Sequence, residues 1–350
     1  MLDNPYNLSP ILAYYPTDCQ PTGAPESIAD GGFSGSRIWR VQTQRGVLCL
    51  RCWPSEYPAQ RLAWIHGILA RVYSGGFCLV PVPIRAISCD TFVCRNGYLW
   101  QLEPWLLGKA QVDNAGLQPI SPARVESAVT ALAEFHIAVA ADPANHLPDG
   151  PPPGIVQRLA QLNALQSGGL DRLSEAIASK RHVWLELAER AVPLLAAFRL
   201  VAPARGERLR QAAQQCVAIR PCIRDIHREH VLFEGDRVTG IVDFGAMQPD
   251  NVACDIARLL GSMAGDDAAL WQAGLQAYQR LQALSEVERP LVQIYDESST
   301  LLSGIHWLQW VFAEGRQFEN RQGVLMRFEE ILGRLIRLAQ RKSHGEGVIV

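Results

Sequence analysis

The chain has 350 residues, of which 48% are hydrophobic and 19% are charged, and its formal net charge is -2. This composition excludes a largely disordered protein, because disorder requires low hydrophobicity and high charge. A nearly neutral charge without a Lys/Arg block argues against nucleic-acid binding. No basic segment followed by an apolar core opens the chain, and no run of about 18 uncharged apolar residues occurs. We therefore expect neither a secretory signal nor a membrane span.

The cysteine pattern favours a reduced, cytoplasmic protein. There are nine cysteines, an odd number, and the one CxxC pattern, Cys49 to Cys52, has no second pair to complete a zinc site. It also lies in a strand-like run, where positions three apart point to opposite faces. We therefore expect mostly buried thiols and no structural metal at this pair.

The N-terminal third reads as a β-rich region that contains one helix. A proline-rich lead-in covers residues 1 to about 25. Strand-like runs follow at 36–41, 47–52 and 90–102, the last broken by Asn96-Gly97, which predicts a hairpin turn. Between them, apolar spacing predicts a helix over 59–72.

The rest of the chain is mainly helical in pattern. Ser121-Pro122 predicts a helix start, and that helix continues to Ala141. Further helices are predicted over 154–165, 171–198, 205–217 and within 266–342. One β-like island, at 231–233 and 238–242, interrupts them. This order predicts an α+β fold with two layers or two lobes.

Two aspartates flank the β-like island. Asp225 precedes it and Asp243 follows it, while Glu234-Gly235-Asp236 predicts a tight turn between its two strands. A hairpin would bring both carboxylates to one end of the ribbon. Phosphoryl transfer uses such a pair, with one carboxylate orienting the acceptor hydroxyl and the other holding Mg²⁺. Either aspartate alone would be an ordinary residue at a strand end.

The segments IRDIHREHVLF and VTGIVDFGA resemble the catalytic core of aminoglycoside phosphotransferases and related choline and homoserine kinases. In those enzymes the loop reads H-G-D-x-H-x-x-N and the metal motif D-[FWY]-G. The resemblance implies a two-lobed protein kinase-like fold. A small β-rich N-lobe, residues 26–104, would follow the lead-in. A large, mainly helical C-lobe, residues 105–345, would carry the catalytic and metal loops.

The same resemblance implies roles for individual residues. Asp225 matches the catalytic base, His227 the second histidine of the loop, and Asp243 the metal-binding aspartate. Asp255 matches a downstream aspartate that opens a helix and braces the loop. Arg224 replaces the family's glycine and gives the Arg-Asp step of protein kinases.

His230 stands where the family has a metal-binding asparagine. A histidine nitrogen is a softer donor than the oxygens that Mg²⁺ prefers. Four alternatives stay open: weak ligation, a preference for Mn²⁺, contact through water, or a hydrogen-bonding role without metal.

The glycine-rich turn before the second strand resembles the family's lid over the nucleotide phosphates. Small residues there let backbone N–H groups approach phosphate oxygens. The candidate lid residues are Gly31, Gly32, Ser34, Gly35 and Ser36.

Arg51 occupies the place of the kinase lysine that pairs with phosphates. It can clamp phosphate oxygens bidentately, or it can be a solvated strand end. Neither Glu56 nor Gln60 is a convincing acidic partner from the following helix. The backbone around Glu103 to Trp105 matches the hinge that meets the adenine edge.

The resemblance implies an ATP-dependent phosphotransferase that moves the γ-phosphoryl group to a hydroxyl of a small molecule, with Mg²⁺ or Mn²⁺. The acceptor would be aminoglycoside-, choline- or homoserine-like. The alternative is a pseudokinase that binds nucleotide or a protein partner without catalysis. The sequence determines neither acceptor nor oligomeric state. A polyammonium acceptor would require an acidic cleft, for which Asp266, Asp267, Glu314 and Glu319 are candidates.

Overall fold

A computed structural model describes residues 8–28, 35–111, 120–318 and 320–343. The fold is α+β, with a β-sheet in the N-terminal region and a mainly helical C-terminal part, as predicted. The chain divides into two compact units. The first comprises 1–119, 134–145 and 228–247, and the second comprises 120–133, 146–227 and 248–350.

The first unit contains a five-stranded antiparallel sheet with the order β1-β2-β3-β5-β4. Its strands are β1 (Glu26–Ile28), β2 (Arg37–Thr43), β3 (Gly46–Cys52), β4 (Val93–Arg95) and β5 (Tyr98–Pro104). A short helix, α1 (Ser9–Leu12), precedes the sheet, and α2 (Ala59–Ser74) connects β3 to β4. The predicted hairpin and the predicted helix over 59–72 are therefore confirmed.

The local chemistry of these elements explains their positions. Asn96 and Gly97 have φ angles of 53° and 77°, the left-handed values that a type I′ hairpin turn requires. Trp39, Leu50 and Leu102 are almost fully buried in one core on the sheet. Arg51 alternates with Leu50 along β3, so its side chain leaves the opposite face.

A second, three-stranded sheet in the same unit forms the predicted β-ribbon. Its order is β6-β8-β9, with β6 (Lys109–Ala110), β8 (Val231–Glu234) and β9 (Arg237–Ile241). Gly235 has a φ of 60° in the turn. The Val242 N–H donates to the His230 carbonyl over 2.9 Å, so these two residues close the opposite end of the ribbon.

The second unit is built from helices and one short pair of strands. Its helices include α4 (Pro153–Ala164), α5 (Leu170–Ser179), α6 (Leu185–Ala212), α7 (Ala253–Met263), α8 (Ala268–Gln279), α9 (Glu288–Leu308) and α10 (Arg321–Ser343). The strands β7 (Arg220–Cys222) and β10 (Gln248–Asp250) pair antiparallel. Helix α3 (Pro122–Ala141) runs from the second unit into the first. Ser121 caps its start by accepting from the Arg124 N–H over 3.2 Å, as predicted.

Two predicted helix boundaries are wrong. The helix expected over 171–198 is interrupted after Ser179, and the break expected before residue 205 does not occur. Instead α6 continues through Pro193 and Pro203. Its buried side chains, including Phe198 and Leu209, extend on both sides of the expected break. The free energy gained by burying this continuous apolar face outweighs the cost of the backbone hydrogen bonds that the two prolines remove.

Within the described ranges, no helix combines the length and apolarity needed to cross a bilayer. All nine cysteines are free thiols, five of them buried, among which are Cys49 and Cys52.

Candidate active site

Asp243 lies two residues after strand β9, at the end of the ribbon where His230 precedes β8. Its backbone has a φ of 63°, an unusual left-handed conformation for a residue other than glycine. A short 3₁₀ turn, Phe244–Ala246, follows at once. Strained backbone of this kind is concentrated at functional sites, so it supports the interpretation of Asp243 as a functional residue.

The turn after Asp243 is fixed by aromatic side chains from the N-terminal region. A Cβ atom at Gly245 would lie 2.8 Å from two ring carbons of Trp53, so only glycine fits there without displacement. The Tyr57 hydroxyl donates to the Gly245 carbonyl over 2.7 Å, and Arg61 donates to the Met247 carbonyl over 3.2 Å. The glycine of the Asp-Phe-Gly sequence is therefore a packing requirement.

Arg51 is a buried partner of Asp243. Its side chain is 6% exposed, which excludes a solvated strand end. Nη1 lies 3.3 Å from Asp243 Oδ1, and the guanidinium carbon lies 5.1 Å from the Trp53 ring centre. Burial alone would raise the pKa of Asp243, but the charges of Arg51 and His230 outweigh burial and lower it.

A chain of buried polar groups continues from Arg51 across the sheet. Gln101 stands opposite Arg51 in the strand register and donates to the Glu103 carboxylate. Gln101 Oε1 accepts from Trp53 Nε1 and is 2.9 Å from His66 Nε2, so that nitrogen of His66 carries the proton. Burial raises the pKa of Glu103 to about 7, although Arg51 partly opposes this shift.

The acidic partner that the sequence left unassigned is thus not on helix α2. Burial lowers the pKa of Arg51, but the negative charges of two acids, Asp243 and Glu103, outweigh burial and raise it. His66 occupies a buried position of α2 and joins the network through Gln101. Strand alternation, which the sequence shows, places Gln101 and Glu103 on one face of β5. The register that sets Gln101 opposite Arg51 is visible only in the structure.

His230 and Asp243 form a donor pair that fits one side of a divalent cation. His230 Nε2 lies 3.7 Å from Asp243 Oδ2, a separation that two ligands of one ion can span. One nitrogen and one carboxylate oxygen suit Mn²⁺ better than Mg²⁺. Nucleotide phosphates and water commonly supply the remaining ligands of such sites.

The loop that carries Asp225 is anchored by Asp255 at the start of α7. Asp255 is fully buried, and its two carboxylate oxygens accept from the Ile223 N–H over 2.8 Å and the Arg224 N–H over 2.6 Å. These bonds hold Arg224 at a φ of 66°. The bracing role that the resemblance implied for Asp255 matches this geometry.

The Arg224 side chain is engaged with the protein. Nη1 donates to Gln248 over 2.8 Å and Nη2 to Gln157 over 2.9 Å. Nε lies 3.4 Å from Oδ2 of Asp250, which is fully buried. These contacts anchor the loop, so Arg224 has the geometry of a positioning residue.

Asp225 is half-exposed and bound by an arginine that sequence reasoning missed. Arg258 Nε and Nη2 both donate to Asp225 Oδ1, over 3.1 and 2.9 Å. Arg258 follows Asp255 by three residues and so shares its face of α7. That spacing could have identified it. His227, between the loop and the ribbon in sequence, is buried.

The structure describes only some of the residues that are predicted to contact the nucleotide. Gly31, Gly32 and Ser34 lie outside the described residues. Gly35 has a φ of 72°, and Ser36, which directly precedes β2, is buried. The backbone N–H of Trp105, a predicted hinge contact, donates to the Val47 carbonyl over 3.1 Å. This N–H is therefore already engaged within the protein.

Asp243 belongs to the first unit and Asp225 to the second. Their joint action on one metal-bound nucleotide stays a prediction.

Comparisons with solved structures show a protein kinase-like fold. An aminoglycoside phosphotransferase from Alicyclobacillus acidocaldarius is similar over 97% of both chains, with 16% identity and a TM-score of 0.55. A microcompartment-associated aminopropanol kinase is similar over 97% of this chain and 98% of its own, with 12% identity and a TM-score of 0.65. Amicoumacin kinase, solved with AMP-PNP and Ca²⁺, covers 89% of this chain and 88% of its own, with 12% identity and a TM-score of 0.58.

The sequence itself matches the phosphotransferase enzyme family over residues 27–291. The chain therefore belongs to that family, the aminoglycoside phosphotransferase family of protein kinase-like enzymes. No curated protein matches the sequence significantly.

Proposed function

We propose that this protein is an ATP-dependent phosphotransferase that moves the γ-phosphoryl group to a hydroxyl of a small molecule. The observation that carries the proposal is the cluster of Arg51, Asp243 and His230 at the end of the β-ribbon. Arg51 is a buried cation, and Asp243 and His230 are a donor pair for a divalent metal ion. Phosphoryl-transfer sites use both a cationic side chain and metal ions to bind the nucleotide phosphates. Membership of the phosphotransferase enzyme family supports the same class of reaction.

On the nucleotide side, Asp243 and His230 would hold Mg²⁺ or Mn²⁺. When bound, such an ion neutralises charge that develops on the phosphates. Arg51 holds the Asp243 carboxylate from its other oxygen and provides a fixed positive charge. Because Arg51 and Glu103 are both buried, this charge is preorganised, which strengthens electrostatic stabilisation.

On the acceptor side, Asp225 would accept the proton of the attacking hydroxyl. The acceptor oxygen forms a bond to the γ-phosphorus, while the bond from that phosphorus to the β,γ-bridging oxygen breaks and ADP leaves. Asp255 fixes the backbone that precedes Asp225, and Arg258 fixes its carboxylate. Both restrict the base to one orientation, and such positioning supplies much of the rate in phosphoryl transfer.

An acceptor screen tests the proposal. The protein is incubated with ATP, Mg²⁺ or Mn²⁺ and pools of small alcohols. ADP formation is measured together with the mass gain of one phosphoryl group on an acceptor. We expect transfer to at least one acceptor, reduced by about 10²–10⁴-fold in Asp225→Asn, as for loss of a general base. Asp267→Asn, in a helix cap, is the matched control.

Stabilisation by ATP without transfer to any pool would contradict the proposal. That outcome would favour a protein that binds nucleotide without catalysis.

A further inference from the structure

Arg258 places a positive charge beside the carboxylate that receives the acceptor hydroxyl. Two of its five N–H groups, on Nε and Nη2, donate to Asp225 Oδ1. Among the described residues, Nη1 of Arg258 has no hydrogen-bond partner. The Arg258 side chain is 35% exposed and that of Asp225 is 48% exposed, so both are accessible to a small molecule.

A guanidinium with donors left over is a binding group for carboxylate or phosphate. Its planar fork matches the oxygens of both anions. An acceptor whose hydroxyl reaches Asp225 must also lie within a few ångströms of Arg258, because the two side chains are in contact. An ammonium group at the same place would meet a like charge.

The described acids that the sequence named as candidates for binding a polycation already have partners in the protein. In the second unit, Asp266 pairs with Arg334 and Arg337, and Glu314 pairs with Arg316 over 2.8 Å. Asp267 accepts from two backbone N–H groups at the start of α8.

Two acids of α9, Glu297, which is buried, and Asp296, which is partly buried, are likewise paired with arginines. Glu297 contacts Arg205 and Arg208, and Asp296 accepts two bonds from Arg334. Of the four acidic candidates named from the sequence, three are therefore engaged and Glu319 lies outside the described residues. The described part of this unit offers no acid of that set to a polyamine.

We propose that the acceptor is an alcohol that carries a carboxylate or a phosphate near its reacting hydroxyl, and that Arg258 recognises this group. The inference rests on the proposed phosphotransfer and deepens it by naming the acceptor class. This class differs from the aminoglycosides for which several structural neighbours are named, since those carry several ammonium groups.

Matched acceptors test the inference with the full-length protein, ATP and Mn²⁺ or Mg²⁺. One set is glyceric acid, glycerol and serinol, and the other is gluconic acid, glucose and glucosamine. Within each set the scaffold is similar and the charge runs from negative to positive. We expect kcat/KM to favour the acid over the amine by about ten- to a hundredfold, the value of one charge-assisted hydrogen bond.

Variants of Arg258 separate recognition from folding. Arg258→Gln should lose the preference, whereas Arg258→Lys should keep most of it, with circular dichroism confirming that both variants fold. Preference for the amines, or an acid preference that survives in Arg258→Gln, would overturn the inference while leaving phosphotransfer intact. Transfer to none of the six acceptors nor to any alcohol of the wider screen would instead contradict phosphotransfer, and this inference with it.

Discussion

Removing the Asp255 carboxylate should damage both the stability and the activity of the protein. Asp255 is fully buried and accepts the Ile223 and Arg224 N–H groups. Leaving a buried donor without a partner costs about 1–3 kcal/mol. Asp255→Ala abandons two donors, so we expect a loss of about 2–6 kcal/mol in the free energy of unfolding. Asp255→Asn keeps one acceptor oxygen and should lose about half as much.

Activity should fall further than the loss of stability explains. The Asp255 bonds hold Arg224 at a φ of 66°, a conformation that costs a non-glycine residue about 1–2 kcal/mol. Without them the backbone can relax to negative φ, which would move the adjoining Asp225. We therefore expect kcat of the folded Asp255→Asn protein to drop by at least about tenfold, since small misplacements of catalytic groups are costly.

The assay combines urea denaturation with kinetics at a temperature where the variants remain folded. Asp267→Ala is the matched control, because Asp267 also accepts two backbone N–H groups, at an exposed helix start. It should lose about 1 kcal/mol and keep full activity. The reasoning is refuted if Asp255→Ala is as stable as Asp267→Ala, or if Asp255→Asn retains full kcat.

Two further predictions concern the polar network and the turn of the first unit. Burial raises the pKa of Glu103 to about 7, so its protonation stabilises the fold fully below about pH 4.5, and this contribution is lost as the pH rises through 7. Between about pH 5 and pH 8, the free energy of unfolding of Glu103→Gln, measured by urea denaturation, should therefore rise by up to about 3 kcal/mol relative to that of wild type. Parallel pH profiles of the two unfolding free energies would contradict this. Gly245→Ala should lose about 1–3 kcal/mol through overpacking against Trp53, whereas Gly23→Ala, which meets no atom within 4 Å, should be neutral. Equal thermal stability of these two glycine variants would disprove the packing argument.

Much of the first unit was predictable because its signals are local. The Asn96-Gly97 turn, the helix over 59–72 and the ribbon at 231–242 depend on short-range patterns that the structure confirms. The two-residue strand β6, by contrast, exists only because β8 lies beside it. Such a short strand carries no periodicity of its own, so the sequence could not predict it.

In the second unit the sequence was less informative where tertiary packing overrides local preference. Pro203 lies in the break predicted before residue 205, yet α6 passes through it, as it does through Pro193, because its apolar face is buried. At the candidate site, Asp255 was predicted from a motif. Arg258 was missed, although it stands one turn further along the same helix, because the motif that identified Asp255 was not followed beyond that residue.

Asp225 and Asp243 are the two residues on which the proposed phosphoryl transfer most directly depends. The decisive measurement follows ATP radiolabelled on the γ-phosphoryl group, with an identified acceptor, in the wild type, Asp225→Asn and Asp243→Asn. We expect the wild type to label the acceptor at a rate at least about a hundredfold above the rates of both variants. ATP labelled on the α-phosphoryl group should give no labelled acceptor. Label transfer at wild-type rates in either variant would contradict the account.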